Sequence, residues 1–430
     1  MTQTIPAQLE TKIRVNRLLN MTVDWADELI FPYYDGLSLR NVPHSAMQAL
    51  GVPFPDAAPL LPDVWQGETP QAKRVVTFLL DGLGYQHLKM LMENDPEIRQ
   101  AIADLNGGRA VIPLTSIAPS TTAVALTTLW TGATPGQSGI TGTLMFLREV
   151  STLVNMLSFK PVVGQSAVPS ELDTWGLDPH SLAKTIGLSD HLAQHNIPTY
   201  TLINRIYVGS GLTRVIYSGN EHIETHHGNQ DFMVRLEDML IKTRGEQCYV
   251  GVYWDGVDAL AHTYGAHGRY THAEAKHQIL ALRDLLTKSS ISDGETLFMF
   301  LADHGHQDAV DPITIKDDPI LYDALQMSLA GDERHAYAYL RNGTLETVTN
   351  HLDTHYADSL AYIETARAIE SGYFGTDVHP IVKHRAGDLI LLPRSGKILS
   401  DPVLGVFSMI SRHAGLTDWE MLVPFIWQRF

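Results

Sequence analysis

Three short apolar runs in this sequence end in residues that bind cations or move protons. RVVTFLL runs into Asp81-Gly82, QCYVGVYW into Asp255 with Asp258 and His262 beyond it, and TLFMFLA into Asp303-His304. Open α/β sheets gather ligands at the carboxyl ends of their strands. Carboxylates and imidazoles meeting at one such edge form the donor set that hard or borderline divalent metals take. Singly, each cluster has a plain alternative. Asp81-Gly82 reads as a turn, Asp303-His304-Gly305 as a loop or helix cap, and Asp258 with His262 as an ordinary i, i+4 pair.

A nucleophile for such a site lies in IAPSTTAVALTTLWTGATPGQSGITG. Pro119 and Ser120 break the chain, and an apolar helix starts near Thr122. A hydroxyl there sits beside unpaired backbone N–H groups and the positive end of the helix dipole, a setting that favours an anionic phosphoryl group. Ser120 or Thr121 as a simple helix cap is the competing reading.

Other residues compete for a role. His222 and His226 in HIETHH are four apart, but a solvated polar loop is the better reading, and the Glu offset is wrong for a zinc-protease motif. His306 and Asp308 follow Asp303-His304 closely enough to sit behind metal ligands, and Asp255 could orient a ligating imidazole. Trp254 and Tyr264 flank Asp258 and His262; for Trp254 core packing is the better reading. Cys248 has no second cysteine to pair with, which points to a reducing compartment and a buried role.

The elements that must hold these groups alternate. Further apolar runs occur at RAVIPLTS, IPTYTLI and DLILLP, read as strands of the same sheet, with helical stretches from 121, 181 and 272 between runs. The pattern predicts a single α/β unit over 1–430, with a mostly parallel central sheet and helices on both faces. Residues 1–71, rich in Pro and polar turns, read as a peripheral wrap. Residues 325–380 read as a small inserted α/β cap, with a hairpin turning at Asn342-Gly343.

In their order along the chain these motifs resemble the alkaline phosphatase superfamily, in particular its nucleotide pyrophosphatase/phosphodiesterase branch. The carriers are Asp81 in DGLG, Thr122 in PSTT with Thr131-Gly132, Asp258 and His262 in DALAHTYG, Asp303 and His304 in ADHG, and His413 in RHAGLTDWEML. They span roughly 75–425. The resemblance implies one divalent ion on Asp258, His262 and His413, and another on Asp81, Asp303 and His304 with the Thr122 hydroxyl. It implies Zn²⁺, with Mn²⁺ as the alternative, attack by Thr122 on phosphorus, and hydrolysis of a phospho-threonine intermediate.

The sequence also departs from that branch. Its Pro-x-x-His-Gly is PGQSG here, with Ser138 in place of the His, and Thr143 stands where an Asn contacts phosphate. Arg148 and Asn155 are candidate replacements, although a surface ion pair is the better reading for Arg148. No arginine aligns with the phosphate-binding arginine of the monoesterases, which favours diester or pyrophosphate bonds in a small phosphorylated substrate, with a nucleotide as one candidate. A phosphomonoesterase or phosphonate hydrolase, and a non-catalytic metal-binding protein, are the alternatives. A sulfatase would want a cysteine at the nucleophile. The formal net charge of −17 argues against binding nucleic acid or an anionic membrane. No apolar run is long enough to span a bilayer, and the polar N-terminus has no signal-peptide core, so the expected location is cytoplasmic.

Overall fold

The computed structural model describes residues 4–18, 28–68, 70–163, 171–401 and 409–430. Residues 1–3, 19–27 and 69 of the expected wrap lie outside the described residues. Seven strands form the central sheet: β1 Arg74–Leu80, β2 Ile112–Thr115, β3 Thr199–Asn204, β4 His222–His226, β5 Cys248–Trp254, β6 Thr296–Leu301 and β7 Leu422–Arg429. Their spatial order is β2-β7-β6-β1-β5-β3-β4. The ladders within β6-β1-β5-β3-β4 are parallel, and β7 runs antiparallel to both β6 and β2. Every residue of β1, β5 and β6 is buried, as expected for strands covered on both faces.

Register carries the chemistry to one edge. Leu80 pairs with Trp254 and Leu79 with Leu301, so Asp81, Asp255 and Asp303 leave their strands side by side. Because β7 is antiparallel, its beginning rather than its end lies at that edge, with Leu422 opposite Thr115. The segment just before β7, which holds His413, is thereby brought to the same place.

The helix Thr122–Thr131 is buried on every side, which suits a sequence of apolar residues and threonines, with Thr127 and Thr131 donating back to the Ala123 and Thr127 carbonyls. It ends at Gly132, whose φ of 72° is the left-handed conformation that favours glycine. It lies close on β5, where a Cβ at Gly251 would stand 3.2 Å from the Trp130 ring. Burying side chains such as Leu129 and Trp130 contributes roughly 1.5–3 kcal/mol each, enough to hold the helix start in one position.

A second seven-stranded sheet, antiparallel throughout, stands beside the first. Its order is Leu360–Glu364, Leu389–Pro393, His335–Ala338, Ala330–Asp332, Leu144–Leu147, Thr152–Asn155 and Lys160–Pro161. It therefore takes strands from inside 325–380 and from well outside it. DLILLP is a strand of this second sheet, not of the parallel one. Asn342-Gly343 does not close a hairpin. His335–Ala338 turns back on Ala330–Asp332 through Glu333-Arg334, and Asn342-Gly343 leads into the helix Leu345–His355. HIETHH is likewise no loop but the edge strand β4. No helix among the described residues is long and apolar enough to cross a membrane.

Candidate active site

Asp81, Asp303 and His304 are all buried at the carboxyl edge of the sheet. Asp303 Oδ1 accepts from the Gly82 and His304 N–H groups at 3.2 and 3.0 Å, and Asp81 Oδ2 accepts from the Tyr253 hydroxyl. The remaining oxygens, Asp81 Oδ1 and Asp303 Oδ2, have no hydrogen-bond partner, and each lies 3.4 Å from His304 Nε2. His304 Nδ1 donates to the Gly305 carbonyl at 3.2 Å, which leaves the Nε2 lone pair toward the two carboxylates. Thr122 Oγ1 lies 3.1 Å from the same Nε2. Burial and the neighbouring Asp303 and Asp258 charges push Asp81 well above the usual carboxylate range. Two orphaned carboxylate oxygens and an imidazole lone pair turned on one point fit a cation.

Beside this cluster, three imidazoles surround Asp258 Oδ1: His306 Nε2 at 2.9 Å, His262 Nε2 at 3.3 Å and His413 Nε2 at 3.7 Å. Burial disfavours the Asp258 charge, but His262 and His306 outweigh it and hold the carboxyl well below its usual range. His262 Nδ1 is committed to the Ser411 carbonyl at 2.8 Å, and His306 Nδ1 to the Ser411 hydroxyl at 3.0 Å. That hydroxyl itself donates to the Ala261 carbonyl. With both Nδ1 atoms so committed, the two Nε2 atoms face Asp258, where a bound cation would take the place of the protons they share with it. Burial and the adjacent His304 keep His413 well below the ordinary imidazole range, so it stands neutral and fit to ligate.

Three donor sets lie within 4.8 Å: Asp81, Asp303 and His304; Asp258, His304 and His413; and Asp258, His262 and His306. The structure thus brings together all six residues expected from the sequence as ligands, with the Thr122 hydroxyl among them. It groups His413 with Asp258 and His304, and it adds His306. His306 is two residues past His304, and the i, i+2 spacing in Asp-His-Gly-His was the available signal. Asp308 and Asp255 do not orient these imidazoles. Asp308 accepts from the Ala266 N–H at 2.8 Å, and Asp255 accepts from the Tyr207 hydroxyl at 2.5 Å.

Thr121 holds the N-cap position of the helix, but its side chain makes no capping bond. Its hydroxyl lies 3.0 Å from Thr143 Oγ1 and 3.4 Å from Asp332 Oδ1, and Asp332 Oδ2 accepts from the Thr143 N–H at 3.3 Å. Burial pushes Asp332 up to about 6. Thr143 and Asn155 both line a cavity of about 380 Å³ that reaches Thr122. Asn155 Oδ1 is occupied by the Ser158 N–H at 3.0 Å, which leaves its amide nitrogen as the available donor. Arg148 is not brought to the site. It is exposed at the turn joining Leu144–Leu147 to Thr152–Asn155, while Thr143 and Asn155 lie at the opposite end of that hairpin. A second cavity, of about 490 Å³, also reaches Thr122 and is lined by Tyr207, Tyr217, Tyr253, Leu157 and Lys160.

The segment bearing His413 is fixed by an ion pair that sequence reading missed. Arg334 grips Glu420 through two bonds of 2.5 and 2.8 Å, both side chains being fully buried. Glu420 also accepts from the Gly415 N–H and the Thr417 hydroxyl, at 2.9 and 2.7 Å. Glu420→Ala leaves the guanidinium buried and unpaired, a loss of about 3–5 kcal/mol. A marked fall in the urea midpoint is the expected result, and an unchanged midpoint would show that the pair anchors nothing.

Residues 75–402 match the family model for type I phosphodiesterase/nucleotide pyrophosphatase, which is more than half of the chain. The chain belongs to that family. Membership makes it a phosphoric ester hydrolase of the alkaline phosphatase superfamily. Among solved structures, murine ectonucleotide pyrophosphatase/phosphodiesterase 5 is similar at 14% identity and a TM-score of 0.60, over 84% of this chain and 88% of that one. Phosphonoacetate hydrolase from Sinorhizobium meliloti 1021, solved with phosphonoformate, is similar at 17% identity and a TM-score of 0.60, over 84% and 91%. An inactive variant of the murine protein in complex with AMP is similar at 13% identity and a TM-score of 0.58, over 83% and 87%. At these identities the likeness is one of fold. No curated protein matches the chain in sequence.

Proposed function

We propose that the protein hydrolyses phosphodiester or pyrophosphate bonds of a small substrate, with Thr122 as nucleophile and a divalent ion at each of two sites. The observation that carries this reading is the place of the Thr122 hydroxyl, 3.1 Å from His304 Nε2 and on the lining of two cavities. A phosphorus atom at that point can carry a substituent in each cavity, as a diester or pyrophosphate requires and a monoester does not.

Asp81, Asp303 and His304 would hold one ion, and Asp258, His262 and His413 the other, with His306 against Asp258. When bound, such ions stabilise charge on the attacking and leaving oxygens and favour ionisation of a hydroxyl. The chain supplies the rest. The start of the helix Thr122–Thr131 fixes the attacking oxygen and turns free N–H groups toward the phosphoryl group. The Asn155 amide and the Thr143 hydroxyl would contact a phosphoryl oxygen from the second sheet. Tyr207, Tyr217 and Tyr253 give one cavity a wall suited to a planar ring, so a nucleotide is our leading substrate class, and AMP is held by the murine relative's variant. Lys160 in that cavity favours a second reading, a phosphonate with an anionic substituent, in line with the hydrolase solved with phosphonoformate. The lone cysteine, buried and without a disulfide partner, supports a cytoplasmic location as a further part of the proposal.

A nitrophenyl phosphodiester compared with a nitrophenyl phosphate monoester, each with Zn²⁺ or Mn²⁺, tests the bond class. Faster diester turnover that a chelator abolishes and added metal restores is the expected outcome. Faster monoester turnover would overturn the diester reading, and indifference to the chelator would overturn the metal sites.

A further inference from the structure

A second group of histidines lies behind the catalytic edge, outside all three donor clusters. His87 sits in the helix Tyr85–Asn94, just after the Asp81 loop. His272 sits in the first turn of the helix Arg269–Leu286, and His267 on the loop before it. His87 is 4% exposed, and its Nε2 is buried with no hydrogen-bond partner. His272 Nε2 is likewise buried and unpartnered. Such an imidazole nitrogen loses its water without replacement, at about 1–3 kcal/mol each, and two of them side by side call for a shared partner.

The spacing indicates what that partner is. The His87 and His272 ring centres are 5.1 Å apart, the same separation as His262 and His413 at the catalytic edge. Two imidazoles on one tetrahedral ion, with metal–nitrogen bonds of about 2.0–2.1 Å, place their ring centres ~5 Å apart. His267 is exposed, its ring centre 6.1 Å from that of His87, and it leans edge-on against Trp419 at 4.8 Å. We propose that His87, His267 and His272 form a third metal site, for Zn²⁺ or another borderline transition ion, distinct from the catalytic pair.

His267 stands farther from His87 than His272 does, 6.1 against 5.1 Å between ring centres, and being exposed it is the side chain that can move in on an ion. Burial and the neighbouring imidazoles push His87 down to about 3 and hold His272 below its ordinary value, so both are in the neutral, ligating form near pH 7. An all-imidazole donor set excludes Mg²⁺ and Ca²⁺, which take oxygen ligands. Such an ion would tie the helix that follows Asp81 to the loop that follows His262, and so brace both metal-bearing segments from behind.

Metal content by mass spectrometry after equilibrium dialysis against micromolar Zn²⁺ tests this on the intact protein. Wild type should hold one more ion per chain than His272→Ala and than His267→Ala, whatever the occupancy of the catalytic pair. His267 is exposed, so its variant folds even if a change at the buried position does not. Added Zn²⁺ should raise the melting temperature of wild type more than that of His267→Ala, with kcat per folded molecule equal in the two. Equal metal content in wild type and both variants would overturn the proposal and leave a bridging water as the shared partner.

Discussion

Thr122→Ala removes turnover, by about 10⁴-fold or more if Thr122 is the attacking group. The fold should survive, because the side chain is small and its one hydrogen bond is to His304. Thr122→Ser keeps a measurable fraction of activity, since the attacking oxygen is retained and only a methyl group goes. Thr121→Ala is the control. Its hydroxyl bonds Thr143 and Asp332 rather than capping the helix, so the expected cost is about 1 kcal/mol of stability and a modest change in KM. Steady-state kinetics on the three variants, with unfolding curves to correct for folded fraction, separate these effects. Full activity in Thr122→Ala would remove it from the chemistry.

His304→Ala and His226→Ala should fail in different ways. His304 Nε2 faces Asp81, Asp303 and Thr122 together, so its loss leaves two buried carboxylates without their neighbour and takes activity down by about 10³-fold or more. His226 is fully buried in the edge strand, stacked 5.0 Å from Trp254 and edge-on to Phe232 at 4.8 Å, and neither ring nitrogen has a hydrogen-bond partner. It acts as a packing residue. His226→Ala should cost about 3 kcal/mol of stability through the cavity it leaves, with kcat per folded molecule unchanged. Equal loss of kcat in the two variants would show that the catalytic histidines have been misassigned.

The carboxyl edge was legible in the sequence because three of the parallel strands announce their ends, an apolar run followed at once by Asp81, Asp255 or Asp303. His413 was reached only through family order, since its place depends on β7 running antiparallel, which no local pattern states. Apolar runs do not declare their sheet. DLILLP is as hydrophobic as the parallel strands because it lies mid-sheet in the second layer. HIETHH was hidden by the opposite cause. An edge strand needs burial only at some positions, so its polar letters read as a loop, although Tyr200 to Asn204 pair with it residue by residue. The Arg334–Glu420 pair joins residues 86 apart, and a buried ion pair has no signature in either segment. Arg148 looked suitable by closeness along the chain alone, and hairpin register carries it to the far end.

The most direct measurement is mass spectrometry of enzyme quenched in acid during turnover of a nitrophenyl phosphodiester with Zn²⁺ present. The peptide spanning Ile117 to Trp130 is the one to follow. A substrate-derived phosphoryl adduct on Thr122, absent from Thr122→Ala and from chelator-treated enzyme, is the expected result. An adduct on Ser120 or Thr121, or turnover through which this peptide stays unmodified under single-turnover quench, would contradict it.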